Sequence, residues 1–482
     1  MLGRIRLWMT TSIPTFLCWM SLSAIANADG DNRQHVLDAM HRASTYFHQQ
    51  VASHGGYVYH YSLDLTMRSG EGAATKDQIW VQPPGTPTVG MAYLAAYHAT
   101  GDPFYLQAAL DAGNALRHGQ LKSGGWTSAI DFDPRGTQVA DYRNGHGRGK
   151  NYSTLDDGKS QSAIQFLAKL DEATGFANEA IHESVIFALN ALLGAQFANG
   201  GFPQAWPMTT GTKPPENLKA SYPEYDWRTE HRIKEYWYLS TLNDNLARDV
   251  AETLGEAYRV YKDPRFLDSL RRLGDFLLLA QMPEPQPGYA QQYTPQMKPA
   301  WARKFEPPAI TSSETQSTLF ALILISELTD ETKYLAPIEP ALKWLQRSLL
   351  SDGRLARYYE LESNRPLYMK RSGDVYSLTY QDDDLPGHYG WKVSSKLPQI
   401  RKALDRTEAG KSIKSQTSLK SLSKQASLIA DSLDESDRWV DISDGSRMVG
   451  QLKLPSGEPY LSSETFSKNI TILSEFLSAS KP

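Results

Sequence analysis

One unit returns along most of this chain and leaves few folds open to it. A helix runs into a turn marked by glycine or Asp-Pro, a second helix follows, and a glycine then precedes an aromatic or polar break. Met91 to Trp126 gives helix, Gly101-Asp102-Pro103-Phe104, helix, and Gly124-Gly125-Trp126. Ile164 to Phe202 repeats it through Thr174-Gly175-Phe176 to Gly200-Gly201-Phe202, and Leu246 to Tyr289 through Lys262-Asp263-Pro264 to Gly288-Tyr289. Leu319 to Leu355 repeats it once more through Thr329-Asp330-Glu331 to Asp352-Gly353, and His41 to Tyr57 supplies an opening helix before Gly55-Gly56-Tyr57. Within each unit apolar residues recur at helical spacing, as in Leu246, Val250, Leu254 and Tyr258. Proline suits the first helical turn and glycine the turn back. The intervals between glycine ends are irregular, so an architecture repeats rather than a strict sequence motif. Antiparallel hairpins that each bury one face must stack. The expected fold is all-α, an α/α toroid of hairpins closing on a central cleft, with an open solenoid as the alternative. Toroids place function on the loops at one end, where the Gly-Gly-aromatic segments fall.

The 482 residues, 40% hydrophobic and 22% charged, suit one large soluble body of this kind. Net charge is −4 with no Lys/Arg stripe, which excludes nucleic acid as the expected partner. Residues 1–28 read as a secretory signal: Arg4 and Arg6, an apolar run from Trp8 to Ile25, and the small-residue site Ala26-Asn27-Ala28. Cleavage there would remove Cys18, the only cysteine, and would take the charge from −4 to −6. No later stretch reaches the ~20 apolar residues of a membrane span. A secreted or periplasmic, monomeric protein is expected. Residues 29–150 read as an N-terminal helical extension, 151–395 as a catalytic core and 396–482 as C-terminal helices. Residues 205–235, rich in proline, tyrosine and charge, suggest a long functional or covering loop. Residues 395–432, rich in Ser and Lys, read as a surface helix or linker, and Phe466 to Leu477 as a closing helix.

Four segments carry chemistry that helical packing does not need. Leu155-Asp156-Asp157-Gly158 and Leu242-Asn243-Asp244-Asn245 each precede a helix, so capping is the plain reading. Two adjacent aspartates exceed what capping needs, and an oxygen-only donor set suits Ca²⁺ or Mg²⁺. There is no EF-hand loop, so any metal site must be assembled from distant loops. The third segment is Gly200-Gly201-Phe202-Pro203-Gln204. The fourth is Pro299-Ala300-Trp301-Ala302-Arg303, followed by Glu306 and flanked by Pro307 and Pro308. Arg303 could simply pair with Glu306 at the surface, for roughly 0–1 kcal/mol. The prolines argue instead for a rigid extended segment that holds its side chains in place. Arg357 and Arg371 lie in a second aromatic stretch with Tyr358, Tyr359, Tyr368 and Tyr376. A guanidinium fork fits a carboxylate, and aromatic faces stack on sugars. Asp382-Asp383-Asp384 reads as a solvated loop, and Trp126 and Asp131-Phe132-Asp133 as packing. The 11 histidines show no zinc-ligand spacing.

In these segments the chain resembles the family 10 polysaccharide lyases, the pectate lyases of the pectic acid lyase type, from about Asn151 to Leu477. That family carries, in this order, an Asp-Asn-Gly type segment, Asn-Gly-Gly-(aromatic)-Pro-Gln, Asn-Asp-(Asn/Asp)-Ala, and Pro-x-x-Ala-Arg-x-(aromatic)-Glu. Here they read Asp156-Asp157-Gly158, Asn199 to Gln204, Asn243-Asp244-Asn245-Leu246, and Pro299 to Glu306. The resemblance implies an α/α toroid and Ca²⁺-assisted β-elimination on polygalacturonate. It implies Arg303 as catalytic base, Asp156 and Asp244 as Ca²⁺ carboxylates, and Arg357 and Arg371 as binders of substrate carboxylates. The motif neighbours Asp157, Gln204, Asn243 and Trp301 are further candidates for substrate contact. Two departures stand out. Asp157 replaces the usual Asn and adds charge near the cation, and Lys159-Ser160 replace a small Ala-Thr pair.

The chemistry is coherent in its own terms. Removing the C5 proton of a uronate spreads negative charge onto its carboxylate, and a cation and arginines there stabilise that charge. Arginine is an awkward base because its pKa lies above 12, so neighbouring cations or an alkaline optimum are required. The rivals are an α/α-barrel glycoside hydrolase with Glu306 or Glu314 as its acid, and a non-catalytic uronan-binding toroid. Gln196 to Phe202 also resembles the Gln-to-Gly-Gly-aromatic repeats of triterpene cyclases, but no Asp-x-Asp-Asp acid motif accompanies it.

Overall fold

The computed structural model describes residues 17–207, 218–228, 234–412 and 417–480. Twelve α-helices are described: α1 (Leu17–Tyr46), α2 (Thr86–Thr100), α3 (Pro103–His118), α4 (Lys159–Ala173), α5 (Glu179–Ala195), α6 (Leu246–Tyr261), α7 (Pro264–Ala280), α8 (Ser312–Thr329), α9 (Ile338–Arg347), α10 (Leu397–Glu408), α11 (Leu419–Asp431) and α12 (Ser463–Ala479). They pack in two rows. In the inner row α12, α2, α4, α6, α8 and α10 are successive neighbours, and α3, α5, α7 and α9 lie behind as the hairpin partners of α2, α4, α6 and α8. Helices α1 and α11 back α12, so the N- and C-terminal segments complete the same wall. This is the expected α/α toroid.

The local chemistry follows the sequence signals. Asp102 and Asp263 cap α3 and α7 by accepting from Phe104 N and Arg265 N, with Pro103 and Pro264 in the first turns. Each cap is worth about 1 kcal/mol. The apolar face of α6 (Leu246, Val250, Ala251, Leu254, Ala257) is buried. Successive hairpins are fastened by a recurring glutamine clamp. Gln120 Nε2 donates to the Gly124 and Ser184 carbonyls, and Gln196 Nε2 to those of Gly200 and Ser269. Ser184 and Ser269 hydroxyls donate back to the glutamine oxygens. The Gln-to-Gly-Gly-aromatic spacing is therefore a hairpin-to-hairpin fastener here.

Gly200 shows what the glycine is for. Its φ is +91°, and a Cβ there would stand 1.9 Å from the Arg272 carbonyl oxygen. Neither backbone can yield without breaking the clamp. Gly200→Ala is expected to cost at least about 2 kcal/mol, read as a lower urea midpoint. An unchanged midpoint would show that the loop is not fixed as described.

Short strands gather at the end of the toroid where the inner helices begin. Tyr289–Ala290, Ile310–Thr311, Tyr358–Tyr359, Pro366–Ser372 and Val375–Thr379 form an antiparallel five-stranded sheet, whose last two strands make a projecting hairpin. Ala205–Pro207 pairs with Tyr152–Thr154. Much of the expected covering loop, residues 208–217 and 229–233, lies outside the described residues. So does the start of the expected signal; α1 is described from Leu17 and continues past Ala28. Among the described residues no helix is long and apolar enough to cross a membrane. Leu397–Glu408 and Leu419–Asp431 form the helices α10 and α11, each with one buried stripe.

Candidate active site

Because the inner helices run parallel, their N-terminal turns meet at one end, and most of the chemistry-bearing segments converge there. Two of those turns are copies of each other. Leu155-Asp156-Asp157-Gly158 leads into α4 and Leu242-Asn243-Asp244-Asn245 into α6. Asp157 and Asp244 both take the left-handed conformation with φ 49°, and the residues after them, Gly158 and Asn245, have φ 69° and 63°. Left-handed backbone is costly for a residue with a Cβ, least so for Asp and Asn. The two turns touch. Thus Asp157, and not Asp156, is the positional counterpart of Asp244, while Asp156 matches Asn243.

The Asp156 carboxylate is satisfied by the protein. Gln204 Nε2 donates to Oδ1 at 2.6 Å and Lys159 Nζ to Oδ2 at 2.8 Å. The Lys159 ammonium, its side chain 4% exposed, also lies 3.7 Å from Asp157 Oδ2. Burial works against that charge, but Asp156 and Asp157 outweigh it and raise the lysine. Among the described residues Asp157 otherwise accepts a hydrogen bond only from Gln82 Nε2, at 3.2 Å. Low-solvent surroundings and the Asp156 carboxylate push Asp157 up. Asp244 is pushed well above the usual carboxylate range by burial, then by Asp157 and Asp156, against the pull of Arg357. Its own contacts are Asn243 Nδ2 and, at 3.8 Å, the Arg357 guanidinium.

Opposite these turns stand two arginines. Arg357 Nη2 pairs with Glu314, in the first turn of α8, at 2.9 Å and donates to Asn243 Oδ1 at 3.3 Å. Arg303 pairs with Glu306, which also accepts from the Arg303 backbone N–H at 2.9 Å. Burial opposes the Arg303 charge, yet the bond to Glu306 wins and raises the guanidinium; the same pair holds Glu306 below its ordinary value despite burial. Tyr389 lies between the arginines. Arg357 stands 4.7 Å and Arg303 5.7 Å from its ring centroid, and its hydroxyl meets Tyr358 OH at 2.8 Å and Glu306 Oε1 at 3.1 Å.

The structure brings together Asp156, Asp157, Gln204, Asn243, Asp244, Arg357 and Arg303. Trp301 and Arg371 stand apart from this cluster in their bonding. Trp301 Nε1 donates to the Trp227 carbonyl at 2.9 Å, and Arg371 bonds within its own exposed hairpin, to the Gly373 carbonyl at 2.7 Å and near Asp374. Asp382 is exposed and pairs with Lys392, and Trp126 is fully buried. Tyr389 was missed by the sequence reading. Its signal was Gly387-His388-Tyr389-Gly390-Trp391, an aromatic run inside glycines near the arginine stretch. Gln82 and Gln161 were missed as well, and no motif marks them.

A hard cation fits the acidic half of this site. Gln82, Gln161, Asp157, Asp244 and Asn245 line one cavity of about 450 Å³, and Gln82 Oε1 and Gln161 Oε1 are buried without a partner among the described residues. These are all oxygen donors, the set a hard cation takes. Among the described residues no three acidic, histidine or cysteine side chains stand close enough to hold a metal by themselves. Amide oxygens, water or a substrate carboxylate would have to complete the shell.

The family model for pectic acid lyase matches residues 120–356. No curated protein matches the chain. Among solved structures, the family 10 polysaccharide lyase from Cellvibrio cellulosa is 20% identical, with a TM-score of 0.47 over 64% of this chain and 94% of that one. A mutant of that lyase in complex with trigalacturonic acid is also 20% identical, with a TM-score of 0.45 over 60% and 89%. Cellobiose 2-epimerase from Spirochaeta thermophila is 14% identical, with a TM-score of 0.46 over 97% and 99%.

Proposed function

Over residues 120–356 the chain belongs to the pectic acid lyase family of polysaccharide lyases, and from that premise we propose that it cleaves polygalacturonate, or a closely related uronan, by β-elimination. The observation that supports this substrate most is the pair of arginines, Arg303 and Arg357, facing one aromatic ring beside three aspartates. Cations on one wall receive a uronate carboxylate, and the Tyr389 ring offers a face to the sugar. Arg357, locked by Glu314, orients that carboxylate. Arg303 is the base that takes the C5 proton, after which the C4 oxygen leaves with the bonding pair and a C4–C5 double bond remains. Ca²⁺ held at the two facing acidic turns, with Asp244 as one ligand, would neutralise the substrate carboxylate and acidify the C5 proton. Export with cleavage after Ala28, and action as a monomer, belong to the same proposal, since the polymer lies outside the cell.

A hydrolase would need a carboxylic acid kept protonated. Glu306, one candidate, is held in the opposite direction by Arg303. The test is the ultraviolet absorbance of polygalacturonate incubated with the protein and Ca²⁺. A rise from the conjugated 4,5-unsaturated uronate is expected. New reducing ends without absorbance would replace the lyase with a hydrolase, and neither signal on any uronan would leave a binding protein.

A further inference from the structure

We propose that the divalent-cation site of this chain is built on Asp157 and Asp244, with the amide oxygens of Gln82 and Gln161, and that Lys159 keeps Asp156 out of it. The proposal deepens the reading above by naming the ligands of its cation. Four observations carry it.

First, the two acidic turns are copies, and position in the turn makes Asp157 the partner of Asp244. Both side chains leave left-handed residues at the mouths of adjacent inner helices. Second, Asp156 has no oxygen left unbonded: Gln204 takes one and the Lys159 ammonium the other. An ammonium already on that oxygen repels a divalent ion approaching the same atom and so disfavours Asp156 as a ligand. Third, Asp157 and Asp244 line the same cavity, whereas Asp156 does not. Fourth, that cavity is also lined by Gln161, 1% exposed, and Gln82, 8% exposed, each with an orphaned buried amide oxygen. The nitrogens of both amides are already donating, Gln161 to the Leu155 carbonyl and Gln82 to Asp157. The orphaned atoms are therefore the acceptors, and a buried acceptor without a donor calls for water or a cation.

The two sequence departures then explain each other. An added carboxylate at 157 and an added ammonium at 159 leave the total charge unchanged. They make Asp157, held more loosely by Lys159 at 3.7 Å than Asp156 at 2.8 Å, the carboxylate more open to a cation. Gln82, which precedes α2, gives residues 29–150 a direct part in the site.

The test is calorimetric titration of the full chain with Ca²⁺ alone, without sugar. Asp157→Asn and Asp244→Asn are each expected to weaken binding at least about tenfold, and Asp156→Asn to leave it within about threefold. Loss of binding in Asp156→Asn with binding kept in Asp157→Asn would overturn the assignment, as would a wild type that binds no Ca²⁺. Lys159→Met guards against a variant that fails to fold. It frees Asp156, so affinity is expected to tighten about tenfold; unchanged affinity would show that Lys159 withholds nothing. If Ca²⁺ binds as expected but no uronan is cleaved, the cation site stands and the lyase reading falls.

Discussion

Arg303→Ala is expected to lower kcat/KM on polygalacturonate by about a thousandfold or more. A positioned proton acceptor contributes about 10²–10⁴, and a cation beside the developing charge a further 10²–10³. The guanidinium is held in place for either role. Glu306 anchors it, and it stands 5.0 Å from the Phe305 ring centroid and 5.7 Å from that of Tyr389. Alanine also strands Glu306, whose side chain is 2% exposed, so Arg303→Lys is the companion variant. Lysine keeps a charge for Glu306 but loses the planar fork, and its activity is expected to fall nearly as far. Near-normal turnover in either variant would remove Arg303 from the mechanism.

A second arm separates base from electrostatic support. Glu306 raises Arg303, so at neutral pH the guanidinium is charged and cannot accept a proton. Rate must then rise with pH toward the arginine's own value. Neutralising Glu306 removes the group that raises it, so Glu306→Gln is expected to move that rising limb to lower pH. A limb that stays in place would leave Arg303 as a binder of charge and assign the proton to another group.

The fold was legible because its signals are local and repeated. Asp102-Pro103 and Asp263-Pro264 cap helices as their spacing suggests, and the glycine ends turn where a Cβ would strike the next hairpin. Helical periodicity showed which faces stack, and stacking hairpins have few ways to close. The acidic turns and Arg303 were legible for the same reason, since each sits in a short motif. What could not be read was pairing across loops. Tyr389 meets Arg303 and Arg357 only because the strand from Tyr358 and the loop after Val375–Thr379 return to the same wall. The sequence ranks Asp156 and Asp157 as neighbours of equal standing. Only the backbone conformation distinguishes the residue that faces Asp244 from the one that Lys159 claims. Arg371 shows the converse: an aromatic context suggested a binder, but the hairpin gives the side chain partners of its own.

Arg357→Met is expected to cost about 3–5 kcal/mol of stability, the usual result of removing one partner from a buried ion pair. Arg357 is 12% exposed at its side chain and Glu314 1%. Glu314 Oε2 already lacks a hydrogen-bond partner among the described residues, so without Arg357 its carboxylate would be stranded. Asp244, 3.8 Å away, would lose the nearby guanidinium that pulls it down. Thermal unfolding is expected to fall by several degrees. The double variant Arg357→Met with Glu314→Gln removes the stranded charge and is expected to regain more than half of the loss, a coupling that a double-mutant cycle measures directly. Substrate affinity separates the two roles of this arginine. If Arg357 receives the uronate carboxylate, the double variant recovers its stability while KM stays raised by about tenfold or more, the worth of a charge-assisted pair. Recovery of both would make Arg357 a purely structural cation, and no loss in the single variant would mean that the pair with Glu314 does not hold in solution.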